Sequence, residues 1–189
     1  MRIRGKQTIQ TVAGLDTRPT ASRVREAIFN IWQFEIAGCR WLDLCAGTGA
    51  MGAEALCRRA AVVVGIEQAG RACVVIGQNW RKLARPEQQV QILQMDVLRG
   101  LAQLAGQQFD RIYFDPPYAC DFYERVIMAI ASHSLLTTTG VLAVEHHKSK
   151  VMLSTFGCLA IMQTRHYGTT AVTFYEAVCE PLMGGGDRS

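Results

Sequence analysis

The sequence predicts an α/β fold in which a mostly parallel, seven-stranded sheet has helices on both faces and closes with a C-terminal antiparallel hairpin. Two observations predict this fold. From residue 40 to residue 145, short apolar runs of strand length alternate with segments of helical periodicity, the order expected for a parallel sheet with crossover helices. Beyond them, two extended runs are separated only by Gly168-Thr169-Thr170, a spacing typical of a hairpin.

Five apolar runs are the predicted parallel strands. The run from Ala61 to Glu67 is continuous and rich in β-branched residues, as in a strand that is covered on both faces. The run from Val90 to Met95 alternates, which favours a position nearer the sheet edge. The predicted parallel strands are residues 41–44, 61–67, 90–95, 111–114 and 141–145. The predicted hairpin strands are residues 159–167 and 171–176. The predicted connecting helices are residues 50–59, 71–83, 97–104 and 122–131.

A further helix is predicted before the first strand. Its apolar residues recur at i, i+3, i+4 and i+7 and form one stripe that can pack on the domain. The stripe consists of Val24, Ala27, Ile28 and Ile31, and the residues expected to fall away from it are Arg23, Arg25, Glu26 and Asn30.

A glycine-rich loop joins the first predicted strand to its helix. Gly47, Gly49 and Gly52 match the spacing GxGxxG, which is a weak signal because loops that bind a nicotinamide dinucleotide share it. Asp43, just before the loop, is a carboxylate that suits the cationic amino group of S-adenosylmethionine and would repel a pyrophosphate. The loop therefore favours S-adenosylmethionine over a nicotinamide cofactor.

Two further acidic residues follow the next predicted strands. Glu67 ends the second strand, where it can accept hydrogen bonds from the ribose hydroxyls of either cofactor. Asp96 follows the third strand, where its side chain could bond the adenine amino group or cap the helix that begins at Val97. Both interpretations of Asp96 stay open, since capping does not exclude binding.

Asp115-Pro116-Pro117-Tyr118 follows the fourth predicted strand, at the sheet edge where open α/β folds bind ligands. Two consecutive prolines remove two N–H donors and fix φ at both positions, so the Pro116 carbonyl is held rigidly. Together with the Asp115 carboxylate it forms a pair of acceptors facing one small region. A surface turn is the alternative interpretation, since Asp-Pro is common in turns, but a turn has no need of this position.

Such a pair of acceptors suits the chemistry of a nucleobase amino group. The lone pair of this nitrogen is delocalised into the ring, so it is a poor nucleophile. Two hydrogen bonds from its N–H groups would aim the lone pair at a sulfonium methyl group, and the reaction then depends on positioning more than on base catalysis. Tyr118 offers a flat face on which an extruded base can stack. The motif therefore predicts an enzyme that methylates an exocyclic amino group.

Basic residues are concentrated in the first 25 residues, where Asp16 is the only acid. Formal net charge is +4 for the whole chain, so the overall balance says little about partners. Most charge runs are solvated surface, but a basic arm beside a catalytic domain of this type favours contact with nucleic acid. The residues expected to face RNA are Arg4, Lys6, Arg18, Arg23 and Arg25.

The sequence resembles the RsmD family of bacterial methyltransferases, which act on the N2 amino group of a guanine in 16S ribosomal RNA. The resemblance runs from Met1 to about Glu176. The glycine loop and the Asp-Pro-Pro-Tyr motif are shared with many amino-methyltransferases, whereas the Arg-Pro-Thr segment joined to them in this order is more particular. The residues that carry it are Met1–Ile3, Arg18–Thr20, Arg23–Ala27, Phe29–Asn30, Asp43–Gly49, Glu54–Leu56, Asn79, Asp115–Tyr118 and Tyr167–Thr169.

This resemblance implies a class I (Rossmann-like) methyltransferase fold, S-adenosylmethionine as cofactor, and 16S ribosomal RNA or the assembling small ribosomal subunit as partner. The N-terminal arm would face the RNA, although Lys6 to Gly14 has one basic residue where relatives carry several. The catalytic residues are expected to be Asp115, Pro116, Pro117 and Tyr118, and the cofactor-binding residues Asp43, Ala46, Gly47, Thr48, Gly49, Glu67, Asp96 and Val97.

The chain is expected to form one methyltransferase domain. Its 189 residues are 49% hydrophobic and 19% charged, which suits one globular core. We predict the domain at residues 1–180, with a basic arm and helix at 1–38, the catalytic sheet at 39–178 and a disordered tail at 181–189. Seven cysteines without a CxxC pair predict reduced core thiols, and no metal site.

Location and assembly are predicted from what the sequence lacks. No apolar run approaches the roughly 20 residues that cross a bilayer, and the N-terminus lacks the apolar stretch of a signal peptide. We expect a cytoplasmic monomer with no membrane partner.

Two other functions are compatible with parts of the pattern. Other nucleobase or protein-amide amino-methyltransferases share the Asp-Pro-Pro-Tyr motif, but they typically carry an added recognition domain. A catalytically silent RNA-binding protein of ribosome assembly could use the same fold, but Asp43, Glu67 and Asp115 argue against it.

Overall fold

The computed structural model describes residues 1–3, 7–11, 19–117 and 122–178. The helices are α1 (Pro19–Ile31), α2 (Ala50–Cys57), α3 (Gly70–Leu83), α4 (Val97–Gln103) and α5 (Tyr123–Ser132). The strands are β1 (Arg40–Leu44), β2 (Val62–Glu67), β3 (Gln89–Gln94), β4 (Phe109–Phe114), β5 (Leu136–His147), β6 (Thr155–Phe156), β7 (Leu159–Tyr167) and β8 (Thr170–Ala177).

The strands of the described residues form one sheet in the order β3-β2-β1-β4-β5-β8-β7-β6. The first five strands in this order pair in parallel, and the remaining pairs are antiparallel. The predicted α/β architecture with its C-terminal hairpin is confirmed. The number of seven strands is corrected to eight, because β6 has only two residues and leaves no periodic signal in the sequence.

Helices cover both faces of the sheet, as predicted. Alternate residues of β1 show how the faces divide, since Trp41 lies in one apolar core and Leu42 in the other. The core around Trp41 is covered by α1, α2 and α3, whereas the core around Leu42 is covered by α4 and α5. The ends of the central strands β1 and β4 therefore lie between two helical layers.

Helix α1 packs through Val24 and Ile28, which are fully buried as the apolar spacing predicts. The expectation that Arg25 falls away from this stripe is wrong, since only 5% of the residue is exposed. Its Nη2 donates to the carbonyl of Arg2 at 3.0 Å, and its Nε lies 3.9 Å from Oε2 of Glu54. Glu54 belongs to α2, so a carboxylate that is distant in sequence compensates the buried charge.

Several boundaries differ from prediction. Strand β5 begins at Leu136, whereas residue 141 was predicted. Its first part was missed because Thr137 and Thr138 are polar and partly exposed, so this part has no apolar run. The predicted tail at 181–189 lies outside the described residues.

No helix among those described is long and apolar enough to cross a membrane. Cys39 is a buried thiol, as predicted, whereas Cys158 is an exposed one.

Candidate functional site

The glycine loop between β1 and α2 is shaped by backbone conformation and by a tryptophan of α3. Gly47 and Gly49 have φ values of +54° and +70°, which L side chains rarely adopt. A Cβ atom on Gly52 would lie 2.2 Å from Cζ2 of Trp80, and the Trp80 indole donates to the Gly49 carbonyl at 2.8 Å. Packing against Trp80 therefore accounts for the third glycine of the GxGxxG spacing.

Asp43 lies at the base of this loop, in the next-to-last position of β1. It is 2% exposed, and its Oδ2 accepts a 3.0 Å hydrogen bond from the N–H of Gly52. Burial raises the pKa of Asp43 to about 8, the hydrogen bond from Gly52 opposes this shift, and the negative charge of Glu67 adds to it. A buried carboxyl group in this state favours a cationic ligand, because a nearby positive charge stabilises its ionised form.

Glu67 ends β2 and holds the loop to the sheet. Its Oε2 accepts from the N–H of Gly47 at 2.8 Å, and its Oε1 accepts from the N–H of Ala69 at 2.8 Å. Each carboxylate oxygen can accept a second bond, so these contacts leave acceptor capacity for hydroxyl groups. The predicted contact with a ribose stays a prediction.

Asp96 caps α4. Its Oδ1 accepts from the N–H of Leu98 at 2.9 Å and from that of Arg99 at 3.3 Å. The capping interpretation is confirmed, and Val97 is the first residue of the helix. The contact of Asp96 with an adenine stays a prediction, as do the cofactor contacts of Ala46 and Thr48, which are half-buried in the loop.

The Asp-Pro-Pro-Tyr motif, predicted to be catalytic, begins directly after β4, the strand that pairs with β1. Asp115 is half-buried, Pro116 is buried and Pro117 is exposed, whereas Tyr118 lies outside the described residues. Asp43 pairs in register with Tyr113, two residues before Asp115. The structure thus brings the acidic base of the loop and the start of the motif to adjacent strand ends.

A buried pair beside the motif was not among the predicted site residues. The hydroxyl of Tyr113 donates a hydrogen bond to Oε2 of Glu145, and these residues are 4% and 5% exposed. The pKa of Tyr113 lies well above its usual range, first because of burial and then because of the charges of Glu145, Asp115 and Asp43. An acid that ends the apolar run Val141–Val144 is the signal that could have revealed Glu145.

The basic residues predicted to face RNA divide into three groups. Arg4, Lys6 and Arg18 lie outside the described residues. Arg23 is exposed on α1. The guanidinium of Arg25 is instead enclosed between α1 and α2, which gives it a structural role.

A second basic surface lies at the carboxyl edge of the sheet. The chain contains no acidic residue between Glu145 and Glu176. Within this interval the N–H of Lys148 donates to the carbonyl of Thr169 at 2.9 Å, which joins the loop after β5 to the turn between β7 and β8. The side chains of this surface, hereafter the hairpin basic surface, are His147, Lys148, Lys150, Arg165 and His166.

The hairpin basic surface contacts helix α5, the first helix after the Asp-Pro-Pro-Tyr motif. Nζ of Lys150 lies 4.7 Å from the ring centroid of Tyr123, the first residue of α5. The pKa of His146 is lowered, first by burial and also by the positive charges of Lys150, His166 and His147. The contact of Lys150 with the start of α5 therefore places one positive charge of this surface near the residues that follow the motif.

Known proteins similar to this chain were found at the level of family, sequence and structure. The family model described as "Conserved hypothetical protein 95" matches residues 1–176. "Putative rRNA methyltransferase YlbH" of Bacillus subtilis is 30% identical over 172 residues, covering 90% of this chain and 93% of the relative. "Ribosomal RNA small subunit methyltransferase D" of Haemophilus influenzae is 30% identical over 138 residues, covering 72% of each. The solved structure "Putative methyltransferase yhhF from Escherichia coli" superposes with a TM-score of 0.81 at 26% identity, covering 95% of this chain and 99% of that chain.

Proposed function

The chain belongs to the conserved hypothetical protein 95 family, in line with its resemblance to RsmD proteins, and we propose that it methylates the exocyclic N2 amino group of a guanine in 16S ribosomal RNA. The proposal is carried by the position of Asp115 and Pro116, directly beyond β4 and beside the strand that bears Asp43. The names of the curated relatives, which are ribosomal RNA methyltransferases, support this substrate class.

The cofactor in this proposal is S-adenosylmethionine, which supplies an electrophilic methyl group on a sulfonium. The residues fit it, because burial disfavours the ionised form of the Asp43 carboxyl and a cation such as the ammonium of the methionine moiety would stabilise that form. A pyrophosphate would supply no positive charge to favour ionisation of Asp43, and it would add negative charge beside the Glu67 carboxylate, which disfavours a nicotinamide dinucleotide. The proposed cofactor-binding residues are Asp43, Ala46, Gly47, Thr48, Gly49, Glu67, Asp96 and Val97.

The chain's own residues position the amino group that is methylated. The Asp115 carboxylate and the Pro116 carbonyl each accept a hydrogen bond from one N–H of the amine, which turns the nitrogen lone pair away from the ring and toward the methyl donor. As the nitrogen forms its bond to the methyl carbon, the bond between that carbon and the sulfonium sulfur would break, the neutral thioether S-adenosylhomocysteine would leave, and the amine would lose one proton. Asp115 already accepts a hydrogen bond from that proton and is the group placed to receive it, and Tyr118 stacks on the base.

An RNA substrate requires positive charge near the site. The hairpin basic surface and Arg23 provide it among the described residues, and the N-terminal residues Arg4, Lys6 and Arg18 remain part of the proposal. We propose that one domain over residues 1–180 performs the reaction as a monomer, in the cytoplasm where ribosomes assemble.

The proposal is tested by mapping the methylated nucleoside. The purified protein is incubated with methyl-labelled S-adenosylmethionine and either naked 16S ribosomal RNA or partly assembled small subunits, and the digested RNA is analysed by mass spectrometry. We expect N2-methylguanosine. Label in N6-methyladenosine or in protein glutamine would instead indicate another amino-methyltransferase.

An Asp115→Ala variant separates chemistry from binding. We expect methyl incorporation to fall at least about 100-fold, because one of the two acceptors is removed, while the affinity for S-adenosylmethionine stays within about threefold. Glu87→Gln is the charge-matched control, because Glu87 is exposed and precedes the start of β3, at the sheet edge opposite the site. RNA binding without incorporation by the unmodified protein would favour a silent assembly protein.

A further inference from the structure

We propose that Glu145 selects guanine by accepting a hydrogen bond from its ring N1–H, next to the amino group that Asp115 holds. The inference rests on the proposed function and adds a binding subsite to it. The observation behind it is the register of β4 and β5, in which Phe114 pairs with Val144 and each of these residues is followed directly by a carboxylate, Asp115 and Glu145.

The register of β4 and β5 places the two carboxylates together. The strands are parallel, with Tyr113 opposite Ala143 and Phe114 opposite Val144. Continuing this register by one residue sets Asp115 opposite Glu145. Neighbouring strands are about 4.8 Å apart, so side chains on one face at this position are within reach of a single base.

The hydrogen bond from Tyr113 shows which face Glu145 occupies. Side chains alternate along a strand, so Tyr113 and a residue two positions later share a face. The Tyr113 hydroxyl bonds to Oε2 of Glu145, which places that carboxylate on the same face as Tyr113 and thus beside Asp115. This face is also the one to which Asp43 belongs, since Asp43 pairs in register with Tyr113.

Guanine has the hydrogen-bonding edge that two neighbouring carboxylates require. Its N1–H and its N2 amino group are adjacent donors that point in the same direction. Adenine and cytosine carry an acceptor lone pair at the ring nitrogen beside their amino group, and uracil has no amino group. Two carboxylates, which only accept when ionised, therefore complement guanine alone among the four RNA bases.

Burial makes this recognition selective. Glu145 is 5% exposed, so a base that faces it with a lone pair cannot be rescued by bulk water. A carboxylate has about four acceptor positions, and the Tyr113 bond occupies one of them while fixing the orientation of the group. Sites that hold a substrate N–H in this way reject analogues lacking it by large factors.

The test replaces the guanine found by nucleoside mapping with 2-aminopurine, which keeps the 2-amino group and lacks N1–H. We expect the unmodified enzyme to prefer guanine by at least about 100-fold in kcat/KM. In Glu145→Gln the side-chain amide can donate to the bare N1 of 2-aminopurine, so the preference should fall to within about fivefold. The intrinsic reactivity of the two amines cancels when the two proteins are compared.

Two further variants separate recognition from structure. Tyr113→Phe keeps the Glu145 carboxylate but removes the bond that orients it, so guanine activity should fall while a preference for guanine remains. Thr138→Ser, at an exposed position of the same strand, should change neither quantity. Thermal melting of each variant establishes that it is folded.

The outcomes distinguish this inference from the proposed function. If Glu145→Gln keeps the wild-type preference for guanine, or if the unmodified enzyme uses both bases equally, the Glu145 subsite is disproved while guanine methylation stands. If the unmodified enzyme methylates neither base, the proposed function fails and the subsite with it.

Discussion

Gly52 lies directly against the indole of Trp80, so that a Cβ atom on residue 52 would be 2.2 Å from Cζ2 of the ring. Trp80 is fully buried, and its indole N–H is bonded to the carbonyl of Gly49 in the same loop. The ring therefore has little freedom to move away. This packing couples the shape of the glycine loop to the position of α3, and it positions the Gly52 N–H that donates to Asp43.

The first prediction concerns the packing of Gly52 on Trp80. Gly52→Ala should lower the free energy of unfolding by about 3 kcal/mol, because the added methyl group overlaps a ring that is enclosed on all sides. Gly77→Ala is the matched control within α3, since its Cβ would have its nearest neighbour at 3.6 Å, an ordinary distance. That variant should be neutral or up to about 1 kcal/mol more stable. Urea denaturation measures both, and equal stabilities would contradict the prediction.

The second prediction concerns the pH dependence of stability. The pKa of Asp43 is about 8 in the folded chain and 3.8 for an unperturbed group. Between pH 4 and pH 8 the folded state therefore keeps a proton that the unfolded chain has already lost. The contribution of this group to the free energy of unfolding is therefore greatest below about pH 4 and decreases as the pH rises to about 8.

Asp43→Asn removes this contribution while keeping an acceptor for the Gly52 N–H. We expect the stability of the variant relative to the unmodified protein to increase steadily from pH 4 to pH 8, measured by urea denaturation at each pH. Glu87→Gln, at an exposed site, serves as control for the change in net charge. A difference between Asp43→Asn and the unmodified protein that is constant across this range would show that Asp43 titrates normally.

The sequence predicts most of the fold because parallel strands that are buried on both faces leave continuous apolar runs. The five parallel strands and the hairpin are found where these runs occur. Strand β6 was not predicted, because its two residues are too few to show an alternation of apolar and polar side chains. The start of β5 was not predicted, because Thr137 and Thr138 are polar and partly exposed although their backbone belongs to the strand.

Residues of the candidate site can be predicted from the sequence only where a functional side chain and the apolar run that positions it belong to the same short segment. The residues Asp43, Glu67 and Asp115 each end or follow an apolar run, so their position at the sheet edge can be inferred without the structure. The role of Glu145 depends on β4 and β5 being neighbours, which the order of the strands along the chain does not reveal. The burial of Arg25 likewise depends on Glu54, a partner on another helix.

The third prediction uses two neighbouring arginines of α1. Arg25→Gln should lower the free energy of unfolding by about 2 kcal/mol. The substitution removes the buried cation beside Glu54 and the hydrogen bond that Arg25 donates to the Arg2 carbonyl. The cost stays below that of a fully orphaned ion, since Arg58 still contacts Glu54 at 2.9 Å. Arg23→Gln, at an exposed position on the same helix, should change stability by less than about 0.5 kcal/mol. Chemical denaturation that ranks the two variants in the opposite order would contradict this assignment.

The fourth prediction concerns the hairpin basic surface. Lys148→Gln combined with Arg165→Gln should weaken binding to 16S ribosomal RNA and reduce the slope of log affinity against log salt by about 0.7 for each phosphate that is no longer neutralised. Helix α3 runs from the carboxyl edge of the sheet to the opposite edge, so the exposed residues Lys82 and Arg85 lie away from the site. The double variant Lys82→Gln with Arg85→Gln removes the same charge and should leave the slope nearly unchanged. Equal effects of the two double variants would indicate that net charge alone governs binding, and an unchanged slope in both would place the RNA on another surface.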